Sequence, residues 1–280
     1  MSEVEDIVRQ IIKTSPPGDD TNIISDIKSL LGHADADKLI SNVLREHYTT
    51  ELNTDNMKSG DIKLVKLNNS NDYTIISKYN SSGLKFFDTK HGILFDYDFI
   101  NSKIIDIENK LPSNIDSNSV SFIQNQLNDY INSHFTNLST GLVIPDENNL
   151  GLTFIIIGEK LNDSNFYNGK WISIYKWNSN DNQLSSIVKV KVHYYEDGNV
   201  ILNTFKTENL GIIDNADNIV QKISDYEKNL ELNTLQNVNE LNEEKFKNLR
   251  RLLPISRSKI QWGRAIGNYK LGQNVVGGRH

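Results

Sequence analysis

Apolar residues along the first fifty positions recur at helical spacing. Val4, Ile7, Val8 and Ile11 fall at i, i+3, i+4 and i+7, which puts them on one helix face. The stretch SPPGDD (15–20) ends that helix, because proline and glycine interrupt regular structure. A second helix is expected from Thr21, read as its cap, through Ile23, Ile24, Ile27, Leu30 and Leu31 to a stop at Gly32. A third follows in ADADKLISNVLREHY, with Leu39, Ile40, Val43, Leu44 and Tyr48 on one side. Three short amphipathic helices joined by brief turns predict a small antiparallel bundle.

The period then changes. IKLVKL, YTIISKY and ILFDYDF, between residues 60 and 110, are short, rich in β-branched and aromatic residues, and bounded by Asn, Ser and Gly; they read as strands. Helical period returns over Ser117–Thr136 through Val120, Ile123, Leu127, Tyr130 and Ile131. LTFIIIGEK (152–160), GKWISIYKW (169–177) and the run 185–206 are strands again. In that last run Val188, Val190 and Val192 alternate with Lys189, Lys191 and His193, which predicts a buried valine face and a wet lysine face. Asp197-Gly198 divides the run as a hairpin turn, so this half is a meander. A long helix is expected from about Asn215 to Arg251, with Ile219, Val220, Ile223, Tyr226 and Leu230 on one side and Pro254 as its end. At 1.5 Å per residue it is about 50 Å long, more than one small sheet needs as cover. The fold class is α+β. The expected partition is a helical stalk over 1–53, a small β region over 54–115, a helix with an antiparallel sheet over 116–210, the long helix over 211–253 and a tail over 254–280.

Composition adds an asymmetry to this pattern. The chain has 280 residues, 37% of them hydrophobic and 24% charged, and a net charge of −6. From Lys245 to His280 there are nine Lys or Arg and no Asp or Glu, so the rest of the chain carries −15. A segregated basic end is an electrostatic footprint for an acidic partner, whether nucleic acid, anionic membrane or acidic protein surface. The overall acidity disfavours nucleic acid. No apolar run approaches the ~18 residues of a membrane helix, and the acidic start MSEVEDIVRQ is unlike a signal peptide, so cytosolic residence is expected. There is no cysteine, hence no disulfide and no thiol chemistry.

Candidate catalytic groups are sparse. No phosphate-cradling loop, dinucleotide fingerprint or nucleophile elbow occurs. His33, His47, His91, His134, His193 and His280 show no ligand spacing, and His193 reads as a sheet-face residue rather than a base. Asp96 and Asp98 share a strand face but read as solvated carboxylates. A binding protein without catalytic residues, metal or cofactor is expected.

The tail carries the binding candidates. If it is helical beyond Pro254, Trp262, Ala265, Ile266 and Tyr269 form an apolar stripe with Arg257 and Arg264 opposite. Such a helix docks in a partner's groove or lies on an anionic membrane; the alternative is that it packs on its own protein as a last core element. Gly263 and Gly267 each cost a helix about 1 kcal/mol relative to Ala, so the segment is weakly committed to structure by itself. Arg250 and Arg251 fall where a helix dipole favours cations, whereas Arg257 and Lys259 have no such structural role.

Four segments carry a family resemblance: SPPG (15–18), FYNGKW (166–171), VKVHYYEDGNV (190–200) and LRRLLPISRSKIQW (249–262). In this order they resemble the alpha subunit of the heterodimeric F-actin capping protein (CapZ type). The resemblance implies an alpha subunit that pairs obligately with a similar beta subunit, the two sheets joining edge to edge with the long helices across them. It implies calcium-independent binding to the barbed end of actin filaments, without enzymatic activity, in the cytoplasm, the actin cytoskeleton and the cell cortex. By position, actin binding falls on Lys247, Arg250, Arg251, Arg257, Lys259, Trp262, Arg264, Ile266 and Tyr269, the last four in a C-terminal tentacle. Phosphoinositides such as PIP2 would compete at Lys247, Arg251, Arg257 and Lys259, and regulators with capping-protein-interaction motifs would bind the dimer elsewhere. Gly263, Gly267 and the ending NVVGGRH depart from the family pattern. The alternative function is a phosphoinositide-sensing membrane-surface module.

Overall fold

The computed structural model describes residues 3–240, apart from 33–34, 54–59, 69, 114, 116–119, 137, 147–150, 163–165 and 196–199. The chain divides into two units, Met1–Gln221 and Lys222–His280.

The first unit opens with helices α1 (Glu3–Thr14), α2 (Asp20–Leu31) and α3 (Ala36–Thr49). In α2 and α3 the stripes expected from sequence supply buried residues, including Ile24, Ile27, Ile40, Val43 and Leu44, although Leu30 is 79% exposed; α1 instead buries Val8 and Ile12 and leaves Val4 and Ile7 of its expected stripe exposed. Helix α2 starts one residue before Thr21, with Asp19 at the N-cap, so Thr21 is not its cap. Gly32 ends α2 in the left-handed conformation, φ 59°, where a side chain is disfavoured.

Six short strands follow: β1 (Lys63–Lys66), β2 (Tyr73–Ile76), β3 (Ser81–Ser82), β4 (Lys85–Asp88), β5 (Ile93–Asp98) and β6 (Lys103–Glu108). β1 pairs with β2, and β3–β6 form a four-stranded antiparallel sheet. On β5 the buried residues alternate as Ile93, Phe95 and Tyr97. Phe86, Phe95, Tyr97 and Phe99 share one apolar core with the three helices. Asp96 and Asp98 do share the other face, and both are structural acceptors. Asp96 receives Arg45 of α3 at 3.0 Å, and Asp98 receives the Ile100 and Asn101 amides at 2.9 and 3.0 Å, closing the turn into β6.

After α4 (Ser121–His134) comes the meander: β7 (Leu138–Pro145), β8 (Gly151–Asn162), β9 (Tyr167–Asn178), β10 (Gln183–Tyr194) and β11 (Val200–Ile212). They form one antiparallel sheet in the order β11-β10-β9-β8-β7. β10 and β11 pair from Tyr194↔Val200 onward, as the Asp197-Gly198 hairpin requires, although the turn itself lies outside the described residues. Helix α4 lies close to β7 and β8, where two glycines make room. A Cβ on Gly141 would sit 2.5 Å from Ile131 Cδ1, and one on Gly158 would sit 2.8 Å from the Phe135 ring.

The two edges of this sheet are finished differently. At β7, Gln124 of α4 donates to the Gly141 carbonyl at 3.0 Å and accepts from the Val143 amide at 2.8 Å, while Thr89 donates to the Val143 carbonyl at 2.8 Å. Side chains thus occupy hydrogen-bonding positions that a further strand would need. At β11, no strand among the described residues pairs beyond β10.

A single 3₁₀ turn, Ala216–Asn218, leads into α5 (Ile219–Glu240), the described part of the expected long helix. No described helix is long and apolar enough to cross a membrane.

Candidate functional site: a buried charge cluster beneath the helical stalk

Strand register sets up the site. On one face of the meander, Ile155 and Ile157 of β8 lie beside Ile174 and Ile172 of β9, and Ile172 lies beside Lys189 of β10. One step further along the same face, Glu159 pairs with Lys170, and Lys170 with Lys191. His193 follows opposite Asn168. The face therefore changes from aliphatic to charged within one pair of residues.

This corrects the expected wet lysine face. Lys189 is 5% exposed and His193 7%, while on the opposite face Val188 is buried and Val190 and Val192 are only half-buried. Alternation places lysines and valines on opposite faces but does not say which face another element covers. Here Gly60, Asp61 and the end of α3 cover the lysines. His47 sits in the last turn of α3, and its carbonyl accepts from the Asp61 amide at 3.0 Å. Gly60 makes that turn possible, since a Cβ there would lie 2.1 Å from the Thr50 carbonyl oxygen.

Asp61 is the centre. Its carboxylate lies 2.6 Å from Lys191 Nζ and 3.4 Å from Lys170 Nζ. Burial works against the ionised carboxylate, but Lys170, Lys191 and Lys189 outweigh it and hold its pKa well below the usual range. Burial likewise opposes the Lys170 ammonium, yet Asp61, Glu159 and Asp20 keep its pKa raised. Glu159, 3.5 Å from Lys170, is shifted upward, with burial the leading cause. On the near side Asp20 accepts from Lys63 and, at 3.0 Å, from the Tyr48 hydroxyl. His47 approaches Asp61 at 3.9 Å, but burial lowers its pKa to about 4, so the imidazole is neutral at pH 7. Its Nδ1 is buried without a hydrogen-bond partner.

Two cavities adjoin the cluster. One of about 240 Å³ is lined by Pro16, Gly18, Asp20, Asp61, Glu159 and Lys170 among others. The second, about 610 Å³, lies between α1 and β10–β11 and is lined by Arg9, Lys13, His47, Lys189, Lys191 and Ile201 among others. Gly18 adopts φ +90°, and a Cβ there would lie 2.8 Å from Leu161, so the SPPG turn rests directly on the sheet. Three of the four segments that carried the resemblance thus meet here: SPPG, Lys170 of FYNGKW, and Lys191 with His193 of VKVHYYEDGNV. Their convergence was not legible from spacing, and Asp61, Lys63, His47 and Glu159 gave no sequence signal at all. Among the described residues no group of three His, Asp or Glu is arranged to hold a metal ion. The sequence-predicted tail residues Lys247, Arg250, Arg251, Arg257, Lys259, Trp262, Arg264, Ile266 and Tyr269 all lie outside the described residues.

The F-actin capping protein alpha subunit family model matches residues 8–274. The chain belongs to that family. It is 34% identical to the F-actin-capping protein subunit alpha of Candida glabrata and 32% identical to that of Saccharomyces cerevisiae, over 99% of each chain in both cases. Identity to the Debaryomyces hansenii subunit is 35%, over 98% of this chain and 97% of that one. The alpha-subunit fold recurs in the homodimeric actin capping protein alpha subunit of Plasmodium berghei. The two superpose with a TM-score of 0.66 at 19% identity, over 89% of this chain and 96% of that one. That likeness adds a fold and no function.

Proposed function

We propose that this chain is the alpha subunit of a heterodimer that caps the barbed end of actin filaments and blocks subunit exchange there. The observation that carries the reading is full-length membership of the alpha-subunit family, reaching through the basic segment after Lys245. The difference between the sheet edges supports the dimer: β7 is capped by side chains, whereas β11 is a strand of 13 residues paired, among the described residues, on one side only. A strand of that length left open invites pairing, and a beta subunit's sheet is the partner we assign to it.

In this reading Lys247, Arg250, Arg251, Arg257 and Lys259 meet the acidic barbed-end surface, and the tail from Pro254 on is the tentacle, with Trp262, Arg264, Ile266 and Tyr269 in contact with actin. Electrostatic attraction sets the association rate and the apolar tail contacts slow release. The activity is passive, non-enzymatic and calcium-independent. Phosphoinositides compete at Lys247, Arg251, Arg257 and Lys259, regulators with capping-protein-interaction motifs act elsewhere on the dimer, and the protein works in the cytoplasm and at the cell cortex.

The test is seeded elongation of fluorescent actin in lipid-free buffer, with the chain co-expressed with its beta partner. Inhibition of barbed-end growth that is lost on deleting residues 247–280 supports the reading. Arg251→Ala with Arg257→Ala slows capping and flattens its salt dependence while the dimer still forms. A well-folded dimer that leaves elongation unchanged refutes capping and brings the membrane-surface module forward.

A further inference from the structure

The charge cluster is not balanced by the residues described. Lys189 is buried, and its ammonium makes one long hydrogen bond, 3.4 Å to the Gly60 carbonyl. The carboxylate that acts on it, Asp61, is already engaged by Lys191 and Lys170. Lys191, Lys170 and Lys13 all act on Lys189 as like charges. Burial, reinforced by these neighbours, lowers the Lys189 pKa to about 8. A buried cation with this surplus of positive neighbours is stabilised when an anion reaches it.

The space for that anion is the cleft of about 610 Å³ on which Lys13, Lys189 and Lys191 converge. The acid in its lining, Asp6, is held by Arg9 at 2.9 Å and is not the missing counter-charge. His47 also lines the cleft, neutral and with a buried Nδ1 that lacks a hydrogen-bond partner. The cleft runs out to β11, where Ile201 and Asn203 form its margin and Ile201 is 55% exposed. An occupant must therefore bring both an anion and apolar cover, at the edge where a second sheet would add.

We propose that this cleft seats a carboxylate side chain of the partner subunit, which neutralises Lys189 as the two sheets join at β11. The inference rests on the heterodimer reading above and adds a charged lock beside the strand pairing. A fully desolvated pair of this kind acts on dissociation more than on association.

The experiment is subunit exchange of the co-expressed heterodimer against a labelled copy. Lys189→Met keeps the length of the side chain and removes its charge; exchange should accelerate at least about tenfold, the usual scale for loss of a buried charge partner. Lys13→Met, at the cleft margin, should accelerate it less and serves if the first variant folds poorly. Lys160→Met, on the other face of β8, should leave exchange unchanged. Unchanged exchange in both cleft variants, with a wild-type dimer that forms normally, overturns the lock and leaves the heterodimer standing. Binding of inorganic pyrophosphate to the wild-type dimer that Lys189→Met abolishes, with exchange unchanged, overturns it in favour of a small phosphate-bearing ligand. A wild-type chain that forms no heterodimer overturns the capping reading and the lock together.

Discussion

One face of the five-stranded sheet is built in two ways. Towards one end, Leu142, Ile155, Ile157, Ile172 and Ile174 pack against Leu52, Ile62, Ile75 and Phe87 in a dry core. Towards the other, Glu159, Lys170, Lys189 and Lys191 gather around Asp61. Asp61 and Ile62 are consecutive and serve the two halves in turn, the aspartate in one and the isoleucine in the other. The two halves tolerate error differently. The aliphatic half loses stability in proportion to the volume removed and can partly collapse into a gap. The charged half depends on a net balance, because among the described residues its lysines lean on the same few carboxylates, Asp61, Glu159 and Asp20, and an uncompensated buried charge cannot relax by repacking.

Four measurements sharpen or break that comparison, each by urea unfolding of the heterodimer at one fixed concentration. The largest effect is expected from Asp61→Ala, at about 3–5 kcal/mol, since it strands Lys170 and Lys191 in the interior. Adding Lys191→Met should recover part of that loss, because neutral side chains no longer need each other; no recovery would mean that Asp61 acts through packing alone. Ile172→Ala comes next, at about 3 kcal/mol, and no second substitution in the charged half should rescue it.

Acid provides the third. His47 has a folded pKa of about 4 against about 6.5 unfolded, so the unfolded chain takes up the proton first as pH falls. Its neutral fit is harmless above pH 6.5 and costs about 2 kcal/mol by pH 5. Asp61 acts in the same direction at lower pH: its depressed pKa supplies stability that is present above the ordinary carboxylate range and is lost as pH falls towards the folded pKa. His47→Gln should therefore flatten the stability profile between pH 6.5 and 5. A profile that stays steep assigns the acid sensitivity to another group. The smallest effect is expected at Glu51, which pairs with Lys176 at 3.0 Å and Lys78 at 3.4 Å on the surface. Glu51→Ala should cost at most about 1 kcal/mol, and less in high salt. A larger loss would remove the distinction between buried and exposed charge made here.

The sequence by itself determined the local elements and the order of the meander. The i, i+3, i+4 stripes located α1 to α3, and β-branched runs located β8 to β11, because each periodicity reflects two unlike sides of a single element, although in α1 the stripe residues Val4 and Ile7 are exposed. Strands with weak patterns escaped it: β3, β4, β6 and β7 were not anticipated, and β7 is also held by α4 through Gln124. The sequence also determined the basic end and, through four motifs, the family. It could not determine that Lys189 and His193 are buried more deeply than Val190 and Val192. That was decided by Asp61, which meets Lys191 across 130 positions of chain. Period-two alternation separates two faces of a strand, but coverage of a face is a property of whatever packs on it. Only the tertiary structure brings Asp61 onto the far end of β10 and converts a row of lysines from a solvated surface into a buried site.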